Sequence, residues 1–121
     1  MLAPSAGMTN PELAKRLLVA WTSGEPQRAR ALLRDDVEFN GPLGVTKGAD
    51  QYVEGVTGFA KEIDRVDVHN MFGDGEDVCL VYDLVTKAGA KIPTAGVYKV
   101  VDGKIASVRA YFDPRPLIKP T

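Results

Sequence analysis

Apolar residues at helical spacing mark the first half of the chain. Leu13, Leu17 and Trp21 recur four residues apart, which predicts a helix with one apolar face. Thr9-Asn10-Pro11 supplies cap residues and a proline suited to the first turn, so the helix is expected to begin there. Ser23-Gly24-Glu25-Pro26 ends it, because glycine and proline interrupt helical backbone.

Two shorter helices and one strand complete the first half. Pro26 can open a second helix, and a third helix follows Gly48. Between them, Asp36 to Asn40 is typical of a short strand, which Gly41-Pro42-Leu43-Gly44 stops. The apolar positions are Ala29, Leu32 and Leu33 in the second helix and Tyr52, Val56 and Phe59 in the third.

Alternating apolar residues dominate the second half, which predicts four strands. Turn residues separate the strands, and Asp102-Gly103 is the strongest hairpin signal in the chain. The strands are predicted at Ile63 to Phe72, Val78 to Thr86, Lys91 to Val101 and Lys104 to Phe112. Helices followed by antiparallel strands predict an α+β fold, in which the helices cover one face of the sheet.

The strand from Val78 to Thr86 is apolar on both of its faces. An antiparallel strand with one solvated face should carry polar residues there, so both faces are expected to be covered. The helices cover one face, and a second copy of the chain is expected to cover the other, which predicts a homodimer. Asp83 is the one charged residue inside this strand and shares a face with Val81. Such a carboxylate must be paired or hydrogen-bonded, or its pKa must be raised by desolvation.

The composition excludes several classes of function. The 121 residues carry 15 Lys and Arg against 16 Asp and Glu, which leaves no basic surface for nucleic acid or an anionic membrane. No apolar run is long enough to cross a bilayer, and the first residues lack a signal-peptide pattern, so the cytoplasm is the expected compartment. The single cysteine, Cys79, excludes an internal disulfide and a multi-cysteine zinc site. Residues 1–8 are expected to be a disordered extension.

Five segments of the chain carry a family resemblance. They are Trp21 to Pro26, Leu33 to Phe39, Lys47 to Asp50, Gly96 to Ile105 and Arg109 to Asp113. In this order and spacing they resemble the SnoaL-like branch of the nuclear transport factor 2-like superfamily. The resemblance implies one domain over residues 9–121, in which a cone-shaped, curved antiparallel sheet and three helices enclose an apolar pocket.

The resemblance does not fix a reaction, because the family contains polyketide cyclases, ketosteroid isomerases, limonene-type epoxide hydrolases, dehydratases and members without known activity. Ketosteroid isomerases use a tyrosine and two aspartates. At the matching positions this chain has Leu17, Gly41 and Gly96. The epoxide hydrolase set is also incomplete, because its last-strand aspartate falls on Ala110. Asn40 does match a water-orienting asparagine of that set, and Asp83 lies near its paired aspartate.

The resemblance places Asp83, Asn40 and Tyr98 as the candidate catalytic residues. Asp83 would move a proton, while Asn40 or Tyr98 would polarise a carbonyl or hold a water molecule. The residues expected to line the pocket and contact a substrate are Trp21, Tyr52, Phe59, His69, Val81, Ala110 and Phe112. Neither a metal nor a cofactor is expected, because the chain has one histidine and scattered carboxylates.

Each of these residues has a structural alternative. Asp83 is equally typical of a carboxylate satisfied by a neighbouring group, and His69 is more typical of a surface histidine than of a proton shuttle. Trp21 lies at a core spacing that favours packing over ligand stacking. Two functions therefore stay open: an acid/base enzyme acting on a small apolar or polycyclic molecule, and a non-catalytic module for ligand binding or dimeric interaction.

Overall fold

The computed structural model describes residues 8–117. The expected extension over residues 1–8 therefore lies outside the described residues, apart from Met8, which packs against the core. No helix within the described range is long and apolar enough to span a bilayer.

Three α-helices form where the apolar spacing predicts them. They are α1 (Asn10–Thr22), α2 (Pro26–Ala31) and α3 (Ala49–Ala60), and a short 3₁₀ turn follows at Arg115–Leu117. Thr9 and Glu12 form a capping box at the start of α1. The Thr9 N–H donates to Glu12 Oε1 at 2.9 Å, and the Glu12 N–H donates to Thr9 Oγ1 at 3.2 Å. This reciprocal pair fixes the start of α1 at the predicted cap residues.

Helix α2 ends earlier than the sequence predicts. The Leu32 N–H donates to the Ala29 carbonyl at 3.1 Å, which closes the last turn. The Leu32 carbonyl then accepts a hydrogen bond from the Ile105 N–H at 2.9 Å. The sequence predicts Leu33 in the helix, but Leu33 begins the first strand, and its side chain is buried there. The reason is that the backbone at this point hydrogen-bonds to the neighbouring strand.

The sheet has six strands in the order β2-β1-β6-β5-β4-β3. They are β1 (Leu33–Gly41), β2 (Gly44–Lys47), β3 (Ile63–Asp74), β4 (Asp77–Thr86), β5 (Lys91–Val101) and β6 (Lys104–Phe112). The α+β fold with three helices is confirmed. The sheet is curved and unclosed, but it is mixed rather than wholly antiparallel, because β1 runs parallel to β6.

Strand β2 was not predicted from the sequence. Gly41 and Gly44 pair across a turn made by Pro42 and Leu43, so the predicted strand stop is a tight hairpin. The four residues of β2 lie at the edge of the sheet and are largely exposed. They therefore lack the apolar alternation that marks a half-buried strand.

The helices cover one face of the sheet, here called the inner face. Helix α1 contacts β3, β4 and β5, and α3 contacts β1 and β2. On β4 the inner residues are Val78, Leu80, Tyr82 and Leu84, and all four are buried. The opposite, outer face of β4 carries Cys79, Val81, Asp83 and Val85. The core thus lies between the inner face and the two long helices.

Candidate functional site

A cavity of about 230 Å³ lies between α1, α3 and the inner face of the sheet. Its lining consists of apolar, aromatic and hydroxyl-bearing residues: Trp21, Phe39, Gly41, Leu43, Tyr52, Gly55, Val56, Phe59, Tyr82, Leu84, Thr94, Tyr98, Val108, Ala110 and Phe112. No charged side chain belongs to this lining among the described residues. The cavity is an apolar chamber whose polar side-chain groups are neutral: the indole N–H of Trp21 and the hydroxyls of Tyr52, Tyr82, Thr94 and Tyr98.

Three of the four tyrosines of the chain, Tyr52, Tyr82 and Tyr98, meet in this cavity and form what we call the tyrosine cluster. Burial raises the pKa of all three phenols above its ordinary value. A hydrogen bond with Tyr98 partly offsets the raised pKa of Tyr82, and the same bond raises the pKa of Tyr98 further. The cluster therefore keeps its protons at neutral pH and presents hydroxyl groups to the cavity.

Two glycines let aromatic rings lie flat against the strands. A Cβ added to Gly96 would come within 2.9 Å of the Tyr98 hydroxyl, and one added to Gly41 would come within 2.8 Å of Phe39 Cζ. In each case the ring folds over the glycine two residues away on the same face of the strand. Tyr98 and Phe39 can occupy these positions in the cavity wall because glycine has no side chain to clash with their rings.

Aromatic pairs build the helix side of the cavity. The rings of Trp21 on α1 and Phe59 on α3 stack with centroids 5.6 Å apart and planes at 22°. The rings of Phe39 on β1 and Tyr52 on α3 also lie 5.6 Å apart, tilted by 52°. These geometries fall in the preferred range for aromatic pairs, so the two contacts hold α3 against α1 and the sheet.

The structure divides the predicted site residues into two groups. Those that line the cavity are Trp21, Tyr52, Phe59, Tyr98, Ala110 and Phe112. Those that do not are Asn40, His69, Val81 and Asp83. The second group includes two of the three candidate catalytic residues, and all four lie on the outer face.

The structure corrects the predicted positions of Asp83, Val81 and His69. The Asp83 side chain, 15% exposed, lies on the outer face of β4, and its Oδ2 lies 2.8 Å from His69 Nε2. His69 is at a bulge in β3, between the pairs Val68–Tyr82 and Asn70–Val81. His69 shares the outer face with Asp83 by the ordinary alternation of β3, because Asp67 pairs with Asp83, and the bulge moves Met71 to the other face, where it pairs with the buried Leu80. Asp83 and His69 are therefore partners of each other rather than groups of the cavity.

The error in the predicted face comes from the register of the β4–β5 hairpin. Val85 pairs with Lys91, so Tyr98 lies opposite Val78 and Gly96 opposite Leu80. Residues that lie directly opposite share a face, and a shift of one residue would exchange the two faces. The sequence pattern identified both faces of β4 correctly, but the turn decides which of them joins Tyr98.

Asn40 lies beside Arg109 across the parallel β1–β6 pair, also on the outer face. Both belong to an open cleft of about 530 Å³ at the end of these two strands. The cleft is lined by Asn40, Gly41, Pro42, Arg109, Ala110, Tyr111 and Phe112. The predicted position of Asn40 in the apolar pocket is thus wrong by one residue, since its neighbours Phe39 and Gly41 line the cavity.

Sequence reasoning missed two hydroxyl groups of the cavity. The expected position of Asp83 and Val81 in the pocket implies the opposite face of β4 for Tyr82, and Thr94 has no distinguishing signal in the strand pattern. The register of the β4–β5 hairpin would have identified both residues, because it pairs Tyr82 with Thr94 and places them on the same face as Tyr98. Thr94 Oγ1 donates to the Ile92 carbonyl at 3.0 Å, so the remaining hydroxyl groups of the lining belong to the tyrosines.

A metal centre has no ligand set in the part of the chain that the structure describes. No three His, Cys, Asp or Glu side chains are grouped there in a way that could hold an ion. The chemistry available in the cavity is therefore hydrogen bonding from phenols within an apolar wall.

Comparisons with known proteins agree with this fold. The model of the SnoaL-like domain family matches residues 14–108. An NTF2-like protein of unknown function from Cytophaga hutchinsonii is 33% identical, with a TM-score of 0.79, over 92% of this chain and 96% of its own. A protein from Kribbella flavida is 28% identical, with a TM-score of 0.81, over 87% of each chain.

A LEH-like epoxide hydrolase from M. tuberculosis is 21% identical over 88% of this chain and 84% of its own, with a TM-score of 0.75. This level of identity supports a shared fold alone. A search of curated proteins finds no significant match to the chain.

Proposed function

Because the chain belongs to the SnoaL-like domain family and its cavity is lined by neutral side chains, we propose that it binds a small apolar molecule there. The observation that carries the proposal is the cavity lining, in which phenol hydroxyls are surrounded by aromatic and aliphatic groups. Small-molecule sites are mostly apolar, with a few polar groups that fix orientation, and this cavity has that composition.

The prediction of an acid/base enzyme requires Asp83 in the cavity, but Asp83 does not line it. An acid/base catalyst must lie within hydrogen-bond reach of the proton it moves. Asp83 is paired with His69 on the other side of the sheet, so a substrate in the cavity does not reach it. Ligand binding is therefore the function that the lining supports best.

The tyrosine cluster supports a second candidate function. A ligand carbonyl placed between Tyr82 and Tyr98 would accept hydrogen bonds from donors held in an apolar wall, which is the arrangement that polarises carbonyl groups. An isomerase or cyclase of this kind would use Tyr98 as its catalytic residue, with no carboxylate. The infrared carbonyl stretch of bound 2-octanone should then shift to lower frequency, and Tyr98→Phe should remove that shift.

Titration with 1-octanol tests the binding proposal directly. Trp21 is the single tryptophan and lines the cavity, so its fluorescence reports occupancy. Ala110→Phe fills the cavity from β6 and should abolish saturable binding. Ala88→Phe makes the same change at an exposed turn and should leave binding unchanged. Binding that survives Ala110→Phe would place the ligand elsewhere and reject the proposal.

The outer face supports a homodimer as the partner of this chain. Val97 is 37% exposed and Phe72 57%, Cys79 lies between them on β4, and Val81 follows on the same face of that strand. Apolar groups grouped on an open sheet face mark an interaction surface. Sedimentation at micromolar concentration should give a dimer, and Val81→Asp should give a folded monomer. A wild-type monomer at that concentration would reject this partner.

A further inference from the structure

The cleft that contains Arg109 adjoins the apolar cavity. Gly41, Ala110 and Phe112 line both spaces, so the two meet where β1 turns away at Pro42 while β6 continues to Phe112. The cavity by itself, about 230 Å³, is below the usual size of roughly 300–1,000 Å³ for a small-molecule site. A ligand of ordinary size would therefore extend from the cavity into the cleft.

Arg109 gives the cleft a positive charge and forms no ion pair with a carboxylate of the described residues. Five other arginines, Arg28, Arg30, Arg34, Arg65 and Arg115, form ion pairs. Arg109 forms none within residues 8–117. Its neighbour Lys99 is already paired with Asp77 at 3.0 Å. An unpaired guanidinium with room beside it is suited to a planar anion such as a carboxylate.

Two further polar groups line the same cleft as this guanidinium. Asn40 lies directly opposite Arg109 on β1 and brings an amide that can donate to an anion. Tyr111 follows on the same face of β6, is 55% exposed, and brings a hydroxyl. Glu38, two residues before Asn40, lies opposite Ser107 and is not part of the cleft lining.

We infer that the ligand is an amphipathic anion, whose apolar body occupies the cavity and whose carboxylate binds Arg109 and Asn40 in the cleft. This inference rests on the proposed ligand-binding function and adds the chemical class of the ligand. The two ends of the ligand meet opposite surroundings: aromatic walls on the inner side of the sheet, and a cation, an amide and a phenol on the outer side. A neutral apolar molecule would fill the aromatic cavity and make no use of the polar groups in the cleft.

Octanoate and 1-octanol are a matched pair of probes, equal in chain length and different in charge at pH 7.5. We expect octanoate to bind about tenfold more tightly than 1-octanol, as measured by Trp21 fluorescence and calorimetry. Arg109→Gln should reduce octanoate affinity about tenfold and change 1-octanol affinity less than about twofold. Raising the salt concentration should weaken octanoate alone, because the contact is exposed to solvent.

Two control variants separate the charge from the fold. Arg16→Gln removes another arginine without an ion pair, on α1, and should leave the preference for octanoate intact. Arg109→Lys retains the charge and should retain part of the preference. Circular dichroism verifies that each variant is folded.

The outcomes distinguish the two proposals. If 1-octanol binds but octanoate binds no better, or if Arg109→Gln weakens both probes equally, the inferred ligand class is wrong and the binding function stands. If neither probe binds, both proposals are overturned. Sedimentation of the Arg109→Gln variant must match the wild type; a changed oligomeric state accompanied by equal loss of both probes would assign Arg109 to the dimer surface and overturn the inference.

Discussion

The two faces of the same sheet differ in chemistry, although the residues that β4 contributes to each of them are mostly apolar. On the inner face Tyr82 and Tyr98 lie under α1 and α3, and no charged side chain of the described residues lines the cavity. On the outer face, which no helix of the described range covers, Asp67, Asp83 and His69 lie on β3 and β4, and Arg109 lies on β6. Strand β4 contributes to both faces, so the difference is made by what covers each side.

This comparison separates apolarity from burial. Leu80 and Val81 are adjacent and both aliphatic, yet Leu80 is fully buried and Val81 is only half-buried. A helix excludes water from one side of the strand, and a charged side chain on that side would lose its hydration without a partner. The outer face tolerates Asp83 because His69 and solvent remain available to it. Neutral donors inside and charges outside follow from this difference in covering.

The largest expected effect contrasts these two neighbours. Leu80→Ala should lower the free energy of unfolding by about 2–5 kcal/mol, because it leaves a cavity in a packed core. Val81→Ala should cost under about 1 kcal/mol for the monomer, since the side chain is half-exposed. Urea denaturation at two protein concentrations checks both values, and a Val81→Ala cost that grows with concentration would support the dimer. Equal costs at low concentration would contradict the assignment of the faces.

The contact between Gly96 and Tyr98 gives the next largest effect. Gly96→Ala places a methyl group 2.9 Å from the Tyr98 hydroxyl, so the ring must move. Overpacking of this kind costs about 1–3 kcal/mol, and 1-octanol should bind less tightly because the wall shifts into the cavity. Ala95→Gly, one residue earlier on the outer face, is the matched control for ligand binding. A stable Gly96→Ala variant with unchanged affinity would show that Tyr98 is free to reorient.

The elements of the fold could be predicted from the sequence because each has a local signal. The cap at Thr9, the spacing of Leu13, Leu17 and Trp21, and the Asp102-Gly103 turn all act within a few residues. The parallel pairing of β1 with β6 has no local signal, because the two strands are far apart in sequence. It is set by the packing of the whole sheet, so the sequence alone led to an antiparallel expectation.

The candidate site was predicted in part for a similar reason. Trp21, Tyr52 and Phe59 follow from helical spacing, which directly gives the face of each residue. Asp83 depends on strand register as well, and one residue of shift between β4 and β5 exchanges the faces. A bulge at His69 then moves Met71 to the opposite face of β3, and the residue pattern gives no sign of it. Site residues on strands were therefore harder to place than those on helices.

Alkaline unfolding should distinguish the inner tyrosines from the outer one. A phenol in the unfolded chain ionises near pH 10, whereas burial raises the pKa of Tyr82 in the folded protein. Above pH 10 the unfolded state therefore binds fewer protons, so the stabilisation present below pH 10 is lost as the pH rises.

The loss for one such phenol is about 1 kcal/mol between pH 10 and pH 11, because the phenol of the unfolded chain is half ionised at pH 10 and about nine-tenths ionised at pH 11. Tyr82→Phe should reduce the fall in unfolding free energy over that interval by this amount, as measured by urea denaturation at each pH. Tyr111→Phe changes the exposed tyrosine of the outer face and is the matched control. The same reduction in both variants would mean that burial does not separate the two faces.

The smallest expected effect concerns Asp83, the residue on which the acid/base hypothesis depended. Asp83→Asn retains the shape of the side chain and removes its charge, and His69 is 51% exposed, so the pair is screened by solvent. We expect a stability loss of about 0.2–1 kcal/mol by urea denaturation and no change in 1-octanol affinity. His69→Gln should cost a similar amount, and the double variant should cost less than the sum, because both substitutions remove one interaction. A loss of ligand affinity in Asp83→Asn, with stability intact, would instead mean that binding in the cavity is coupled to the outer face through β4. The neutral inner face and the charged outer face would then be parts of one site.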